Sequence, residues 1–542
     1  MEEKPALLKL YDIRLQVYEF LTLSERATSS LICREWHDMF TGPHHWKTVV
    51  LDIQHHDAHK YICHASSLHY CGRFARVSHA LSMFPYAPYV TRMHLCVHCS
   101  QHEAEHTLKC LADVTSLQDL TFSVSQSGSG DRVALATQNL RNLKLLKKLQ
   151  LLLSYNDIGD GAQAIWEWLP DLKELEELKV DLGGNDRITD AMGLQVAAVS
   201  NLSSLKTFEL VLGDGDDGGG VNRLSYSTVS ALWNAVFHAN WIQSVVLNLC
   251  SPFLLDDGGA AMERLCTLPS LRDLTVDFTG SRIFDSHVCG FARNLSYSTS
   301  IKYICVDLTD CDIGDPTALA LAGLKDAPHL SEVNLILSLT NMTLFGASAL
   351  GHVATGRSTT LQHLLLSLNG GVLYENGVAA LAAGLCQSSL QCLHLDLGSG
   401  PIRNIHKTML VYLKHISTLR ELHLSLEHNG VHDGTDALVE LIMAMPSLTL
   451  VNVNLRDNYI CNLGARSLAC LDQAVHLKSL TLNLSGNYIS SEGQATLNQM
   501  IETLQDLGAL EYVVLDMADN HHEECYFVIA GVIRTCTGDL HQ

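Results

Sequence analysis

The sequence predicts an α/β fold in which one short segment of strand, turn and helix repeats along most of the chain. Three observations predict it: an apolar motif recurs at a nearly constant interval, each copy opens with the alternation of a half-buried strand, and each continues with the spacing of an amphipathic helix. Most copies begin 29 residues apart. The copies begin at Leu117, Leu146, Leu175, Leu205, Ile242, Leu271, Ile301, Leu330, Leu361, Leu390, Leu419, Leu448, Leu477 and Leu510.

The strand part of each repeat reads L-x-x-L-x-L-x-L, as at 477–484. In its second half, apolar and polar residues alternate with the period of two that a strand with one buried face requires. A segment of helical period follows, as at 377–385 and 464–471, and its apolar face is expected to pack behind the strands. We therefore expect each repeat to add one strand to a sheet and one helix to the layer behind it.

Asparagine recurs after several of the strands, three residues after the last strand leucine. A side chain there can hydrogen-bond both the turn and the neighbouring repeat, which would otherwise contain unpaired buried backbone groups. The residues at this position include Asn156, Asn185, Asn429, Asn458, Asn487 and Asn520, with Cys311 in the same place. Together these features resemble leucine-rich repeats of the ribonuclease-inhibitor type. That resemblance implies a right-handed solenoid with a parallel sheet on its concave side and helices on its convex side.

The repeat region is expected to span 89–542. A strand-like segment at 89–97 is expected to begin the sheet, which gives roughly fifteen repeats. The long interval between Leu205 and Ile242 contains a Gly- and Asp-rich stretch that predicts an inserted loop at 213–222. The acids of this stretch do not follow the spacing of a calcium-binding loop, so a solvated loop is favoured over a calcium site.

Residues 8–51 do not repeat, and their apolar residues recur at helical spacing. The segment resembles an F-box, whose pattern is L-P-x-E-I, then I-F-x-x-L, then V-C-K-x-W, with a second tryptophan ten positions later. Asp12 and Ile13 match E-I, residues 17–21 match the second block, residues 32–36 match the third, and Trp46 is the second tryptophan. The residues at 9 and 10 are Lys-Leu where the pattern has Leu-Pro. The resemblance implies a small all-α segment ahead of the repeats.

The F-box resemblance also implies docking on a Skp-family adaptor, and through it on a cullin-RING ubiquitin ligase, by an apolar helical surface. The residues assigned to this surface are Asp12, Ile13, Val17, Phe20, Leu21, Leu31, Cys33 and Trp36. An F-box followed directly by leucine-rich repeats implies a substrate-recognition adaptor. The alternative is a non-enzymatic scaffold protein of a larger, for example cytoskeletal, assembly, in which the F-box-like helices only cap the repeats.

The overall charge and the cysteines limit the partners and the compartment. A net charge of −22 disfavours nucleic acid and anionic membranes, because both require a surplus of Lys and Arg. The N-terminus has no signal-peptide pattern, and no stretch approaches 18 consecutive apolar residues. The 17 cysteines are odd in number and scattered, as is typical of reduced thiols. We therefore expect a protein of the cytoplasm or the nucleus.

Two patterns suggest a metal, and in both the spacing argues against it. The connection at 52–88 is rich in His and Cys, as are the residues after it up to Cys110, yet they do not form two clean pairs of zinc ligands. The motif H-E-x-x-H stands at 102–106, but if Ala104 and Leu108 face the core, its histidines point outward. No P-loop, Rossmann glycine pattern or nucleophile elbow occurs. We expect no metal, no cofactor and no enzymatic activity.

The strand residues that alternate with the buried leucines are expected to face outward from the sheet. One column of them contains acids and amides but no Lys or Arg, and the adjacent columns add only Lys179 and Arg456 as bases. We predict that a basic or neutral protein partner binds this column and that a phosphorylated one is disfavoured. The predicted partner-binding residues are Asp181, Asp277, Asp307, Asp396, Asn454, Asn483 and Asp516. The alternative is that short polar residues merely fit a crowded sheet.

Overall fold

A computed structural model of the chain describes residues 49–51, 67–72, 90–97, 101–124, 128, 130–213, 224–250, 268–355, 360–371, 373–400, 409–432, 434–508, 510–520, 525–529 and 532–536. The chain divides into two compact units, Met1–Asn248 and Leu249–Gln542, which we call the N-terminal and C-terminal units. In each unit, parallel strands alternate with helices along the chain. The predicted fold class, a leucine-rich-repeat solenoid, is confirmed.

The strands of the N-terminal unit pair in parallel and in chain order. They are β1 (Val49–Leu51), β2 (Ser67–Gly72), β3 (Arg92–Val97), β4 (Asp119–Val124), β5 (Lys148–Leu152), β6 (Glu177–Asp181), β7 (Thr207–Val211) and β8 (Ser244–Asn248). The helices among the described residues of this unit are α1 (Gln101–Leu111), α2 (Asp131–Ala136), α3 (Gln163–Trp168), α4 (Asp190–Gly193) and α5 (Tyr226–His238), with 3-10 turns at Thr137–Asn142, Asp160–Ala162, Leu169–Asp171 and Leu194–Asn201.

The sheet of the N-terminal unit begins earlier than the sequence indicates. We expected the first strand at 89–97, but β1 and β2 pair in parallel ahead of β3. Residues Ser67–Gly72 contain a single leucine, so the L-x-L-x-L alternation that marks the later strands is missing there. β1 also lies at the end of the 8–51 segment, so the final three residues of that segment are a strand rather than part of a helix.

Among its described residues, the C-terminal unit contains nine parallel strands paired in chain order, followed by an antiparallel pair. The parallel strands are β9 (Asp273–Asp277), β10 (Tyr303–Asp307), β11 (Glu332–Ile336), β12 (His363–Ser367), β13 (Cys392–Asp396), β14 (Glu421–Ser425), β15 (Leu450–Asn454), β16 (Ser479–Asn483) and β17 (Tyr512–Asp516). The antiparallel pair is β18 (Cys525–Ile529) and β19 (Val532–Cys536). The sequence did not predict this pair.

In the described part of the C-terminal unit, helices follow the strands, and two of them cover most of the helical segments predicted at 377–385 and 464–471. They are α6 (Asp285–Leu295), α7 (Asp315–Leu321), α8 (Leu344–Gly351), α9 (Glu375–Leu385), α10 (Leu410–Leu413), α11 (Asp436–Met443), α12 (Asn462–Ala469) and α13 (Ser491–Asp506), with 3-10 turns at Ala322–Asp326 and Cys470–Gln473. Within the part of the chain that the structure describes, no helix is both long and apolar enough to cross a bilayer.

The core of both units consists of the repeated leucines. In β16, Leu480 and Leu482 are buried, while the residues between and beside them are half-exposed, which is the alternation that the sequence predicts. Each fully buried leucine contributes about 2 kcal/mol by its removal from water. Of the fourteen residues that open the repeats, thirteen are buried and only Leu510, in the last repeat, is half-exposed.

The asparagines after the strands form a buried ladder, in which each asparagine joins its repeat to the one before it. Asn458 Oδ1 accepts hydrogen bonds from the backbone N–H groups of Asn429 and Val431, both at 3.1 Å. Its Nδ2 donates to the Leu426 carbonyl at 2.7 Å. Asn487 makes the same kind of bond one repeat later, where its Oδ1 accepts from the Asn458 N–H at 3.0 Å. These side chains therefore provide hydrogen-bond partners for backbone N–H and C=O groups that are not paired within a strand or helix.

Cys311 takes the asparagine position in its repeat and fills part of the same role. It is buried, and its Sγ donates to the Phe278 carbonyl at 3.2 Å, the acceptor that an asparagine Nδ2 would use. A thiol offers one weak donor where an amide offers two donors and a strong acceptor. The cysteine is therefore a partial substitute within the ladder.

A second set of side chains joins the helix starts of successive repeats. Asp285, the first residue of α6, accepts from the backbone N–H groups of Gly314 and Thr317, both at 3.0 Å. Asp315, the first residue of α7, accepts in turn from the N–H groups of Thr343 at 2.8 Å and Gly346 at 2.9 Å. Each acid thus caps the helix of the next repeat, where unpaired N–H groups and the positive end of the helix dipole favour a carboxylate.

Helices α8 and α9 approach each other closely at two glycines. A methyl group on Gly384 would come within 2.6 Å of the carbonyl carbon of Gly351, and one on Gly351 would come within 2.5 Å of the Leu381 carbonyl oxygen. Both distances are far below van der Waals contact with backbone atoms that cannot rotate away. The two helices therefore pack backbone against backbone at this point.

Candidate functional site

The strand register places the predicted outward residues side by side. In the N-terminal unit the aligned residues are Ser123, Leu152, Asp181, Val211 and Asn248. In the C-terminal unit they are Asp277, Asp307, Ile336, Ser367, Asp396, Ser425, Asn454, Asn483 and Asp516. All are half-exposed except Ser367, which is buried. We call each set the outward column of its unit; that a partner binds it stays a prediction.

The acids of the outward columns also hold the turns that follow their strands. Asp307 Oδ1 accepts from the backbone N–H of Thr309 at 2.9 Å and from its hydroxyl at 2.7 Å, and Asp277 makes the same pair of bonds to Thr279. Asp396 Oδ1 accepts from Gly398 N–H at 3.1 Å. The remaining predicted residues bond two positions onward in the same way: Asp181, Asn454, Asn483 and Asp516. Sequence reasoning did not anticipate this second, structural role.

Burial changes the electrostatics of two of these carboxyl groups. The pKa of Asp181 and that of Asp307 are both raised above their usual value, chiefly because burial disfavours the charged form. Hydrogen bonds from the turn residues Gly183 and Thr309 oppose the shift. Each of these two carboxylates is thus hydrogen-bonded to its turn through one oxygen, and its charge is only partly solvated. An approaching cation would therefore stabilise the charged form.

The two bases predicted beside the columns are both paired with acids. In the N-terminal unit, Lys179 Nζ lies 2.6 Å from Glu209 Oε1. In the C-terminal unit, Arg456 Nε lies 3.0 Å from Asp457 Oδ2 and 3.7 Å from Glu427 Oε1. Both bases are therefore bonded to acids outside the column, although the charge of Lys179 also acts on Asp181 and opposes the rise of its pKa. The net character of the column is acidic and polar.

A shallow hollow of about 360 Å³ lies on the outward face of the C-terminal unit, across β11 to β15. Its polar wall comes from the outward column, where Ser367 Oγ donates to Asp396 Oδ2 at 3.2 Å. The adjacent column, two residues earlier in each strand, also lines it. The lining residues are Ile336, Leu365, Ser367, His394, Leu395, Asp396, His423, Leu424, Ser425, Asn452 and Asn454.

Two of the histidines that line this hollow stack on each other. The ring centroids of His394 and His423 lie 3.7 Å apart with an interplanar angle of 25°. Burial, followed by the nearby His423, lowers the pKa of His394 to about 4, and burial also lowers the pKa of His423. Both rings are therefore neutral at pH 7, and each keeps one nitrogen lone pair. Beside them, burial and then the Glu421 carboxylate raise the pKa of the Cys392 thiol to about 12.

Sequence reasoning missed this histidine pair. We searched the column that contains His394 and His423 only for Lys and Arg, since those decide the charge at pH 7. The signal was nevertheless present, because both strands read Leu-His-Leu and begin one repeat length apart. The same residue type at the same position of successive parallel strands implies neighbouring side chains.

Several residues predicted from the sequence lie outside the described residues. They include the whole set assigned to adaptor binding: Asp12, Ile13, Val17, Phe20, Leu21, Leu31, Cys33 and Trp36. Most of the 52–88 connection and all but Gly213 of the 213–222 loop also lie there. In the H-E-x-x-H segment, Ala104 and Leu108 are buried and His106 is exposed, as predicted, while the His102 side chain lies outside the described part.

Comparison with known proteins adds little to this description. No protein-family model and no curated protein matches the chain. Among solved structures, the chain is similar to an internalin from Listeria monocytogenes, with 15% sequence identity, 77% of this chain and 80% of that chain covered, and a TM-score of 0.31. The strands, helices and asparagine ladder of the chain itself define a leucine-rich-repeat fold, in which stacked repeats form an extended surface.

Proposed function

We propose that this chain is the substrate-recognition adaptor of a Skp-cullin-F-box ubiquitin ligase in the cytoplasm or nucleus. Segment 8–51 would engage the Skp-family adaptor, and the repeats would hold a protein substrate without catalysing a reaction themselves. The observation that supports substrate binding most strongly is the outward column of the C-terminal unit, nine aligned residues from Asp277 to Asp516. A broad face of this kind suits a protein, which binds by area rather than by an enclosing pocket.

The charge of the column defines the substrate that it fits. The column carries Asp277, Asp307, Asp396 and Asp516, and Arg456 beside it is already bonded to Asp457 and Glu427. A basic or neutral surface can approach these carboxylates, whereas an acidic or phosphorylated surface would be repelled. The whole chain, at −22, adds to this steering over longer distances.

Removing three charges from the outward column is expected to slow substrate association. In the variant D277N/D307N/D396N, each amide keeps the Oδ1 acceptor that holds its turn. D396N loses only the two long bonds that Asp396 Oδ2 accepts from Ser367 and Asn369 at the surface, so the melting temperature should change little. Steering by opposite charge is screened over about 10 Å at 0.1 M salt, whereas burial of apolar surface is not. We therefore expect a lower association rate at low salt and a flatter salt dependence, measured by surface plasmon resonance with a substrate identified by cross-linking.

A matched control removes the same charge from the helices. Asp326, Glu440 and Glu502 are exposed residues of the C-terminal unit outside its strands, and D326N/E440Q/E502Q changes the net charge by the same amount. This control should retain most of the parent's association rate. If the two triple variants behave alike, overall charge rather than the outward column steers the substrate, and the column is not the binding surface.

The adaptor half of the proposal is tested with the variant L21D/W36A. Both residues belong to the apolar positions of the F-box-like pattern, so a charge and a truncation there should abolish co-precipitation with the Skp-family adaptor. The repeats are stabilised by their nearest neighbours, so circular dichroism should remain that of the parent. E35A, at a position that the pattern leaves open, is the control and should bind. Undiminished adaptor binding by L21D/W36A would refute the assignment.

A scaffold role is the second candidate, and one observation favours it. The pairing of Val49–Leu51 with Ser67–Gly72 places the end of the 8–51 segment within the sheet, as a capping segment would require. If the helices of this segment only cover the first strands, L21D/W36A should lower the melting temperature of the whole chain, and the parent should not bind the adaptor. Unchanged folding together with lost adaptor binding distinguishes the ligase role.

A further inference from the structure

We propose that Cys392, His394 and His423 bind a zinc-class divalent ion, one that prefers thiolate and imidazole ligands, on the outward face of the C-terminal unit. The Sγ of Cys392 and one ring nitrogen from each histidine lie within 4.8 Å of one another. This set of one sulfur and two nitrogens matches zinc and its neighbours in the first transition row rather than Ca²⁺ or Mg²⁺, which take oxygen ligands.

The parallel sheet brings the three residues together. Cys392 and His394 are two positions apart on β13, so their side chains leave the same face about 7 Å apart. His423 lies opposite His394 on β14, where neighbouring strands are about 4.8 Å apart. Both imidazoles are long enough to span these separations. A Cys-x-His pair on one strand and a His on the next therefore converge on a single point above the sheet.

Closing the site requires only side-chain rotation. Two ligands of one tetrahedral zinc ion are about 3.3 to 3.7 Å apart, given bond lengths near 2.1 Å to nitrogen and 2.3 Å to sulfur. The three atoms must therefore draw together by roughly an ångström, and the stacked rings must turn so that each points a nitrogen at the ion. Both rings line the open hollow, which gives them room to turn.

The Asn452 side chain decides which nitrogen of His423 can bind a metal. Asn452 Nδ2 donates to His423 Nδ1 at 3.3 Å, so a metal would either replace this bond at Nδ1 or bind Nε2 after the amide turns to accept from Nδ1–H. On binding, Cys392 would lose its thiol proton to solvent as the sulfur–metal bond forms, and both rings would bind in their neutral form. Three protein ligands leave a fourth position, which opens into the hollow and can take water or a partner's side chain.

A second group of ligand-type residues lies nearby but is less suited to this ion. Glu427, His428 and Asp457 also have ligand atoms within 4.8 Å of one another. However, Arg456 lies within 4.0 Å of both carboxylates, so a positive charge already occupies the place that a cation would take. This group supplies the matched control for the experiment.

The experiment compares zinc binding by the full chain and its variants after removal of metal with a chelator. We expect C392S, H394A and H423A each to bind one zinc equivalent fewer than the parent in a titration against a chromophoric chelator. Cobalt(II) serves as a second probe, because a Cys392 thiolate bound to cobalt gives a sulfur-to-metal charge-transfer absorption that C392S should lose. Because the comparison is by difference, zinc bound by other His and Cys residues does not affect it.

The controls are H428A, which disrupts the neighbouring group, and C470S, which removes an exposed thiol. Both should retain the parent's stoichiometry and cobalt spectrum. Circular dichroism of the metal-free proteins checks that each variant folds; His394 and His423 are half-exposed, so their truncation should be tolerated. The proposal is overturned if the parent binds no zinc, if the three ligand variants keep the parent's stoichiometry, or if H428A alone loses an equivalent.

Discussion

Replacing Asn458 by alanine is expected to lower the free energy of unfolding by about 3 kcal/mol. The substitution removes the acceptor of two buried backbone N–H groups, those of Asn429 and Val431, and the donor to the Leu426 carbonyl. Each stranded buried group costs about 1 to 3 kcal/mol, because water cannot replace the lost partner. The loss should be visible as an earlier transition in urea, followed by circular dichroism.

Two further variants separate the ladder from a general effect of substitution. N458C should lose less than N458A, because Cys311 shows that a thiol at this position can still donate to the carbonyl of the preceding repeat. N341A removes an exposed asparagine and should change stability by less than about 0.5 kcal/mol. Equal stability of N458A and N341A would mean that the ladder contributes nothing measurable.

Replacing Gly384 by alanine should destabilise the C-terminal unit by about 2 kcal/mol, within the range for an overpacked core. The added methyl group would lie 2.6 Å from the Gly351 carbonyl carbon, so α8 and α9 would have to move apart and lose contacts along their length. Thermal unfolding followed by circular dichroism measures the loss. An effect of this size from one methyl group requires the backbone-to-backbone contact that the structure contains.

G323A is the matched control for this prediction. Gly323 lies in the Ala322–Asp326 turn, and a methyl group there would lie 3.6 Å from Ser296 Cβ, an ordinary contact. Removing a glycine without a clash restricts the unfolded chain, so G323A should be neutral or slightly stabilising. A melting temperature for G384A as high as that of G323A would contradict the close approach of the two helices.

Features that recur along the chain could be predicted from the sequence. The buried leucines, the strand positions and the asparagine ladder each repeat at a fixed spacing, so the evidence for one copy supports the others. The outward column followed from the period of the strand alone, and the register from Asp277 to Asp516 agrees with it residue by residue. Predictions of this kind depend on local periodicity, which the sequence records directly.

Features that occur once, or that depend on tertiary contacts, could not be predicted in the same way. The strands β1, β2, β18 and β19 lack the leucine alternation, so their pairing is determined by the neighbouring strands rather than by their own pattern. The first-turn acids Asp285 and Asp315 look like ordinary helix caps, yet each bonds the helix of the following repeat. The hydrogen bonds from Asp307 to its turn could not be predicted, because an acid that faces solvent and an acid that bonds a turn have the same sequence pattern.

The asparagine ladder gives the stack of repeats a direction. Asn458 and Asn487 each direct their Oδ1 and an Nδ2 bond to the repeat before them. Loss of a repeat from the C-terminal end of the ladder therefore leaves the backbone N–H groups of the preceding repeat without their asparagine acceptor. Loss of a repeat from the N-terminal end removes the N–H groups themselves and leaves the asparagine in place. The two ends of the ladder therefore fray differently. Each repeat lost from the C-terminal side exposes a further pair of backbone N–H groups without acceptors, and such groups exchange their hydrogens with solvent first.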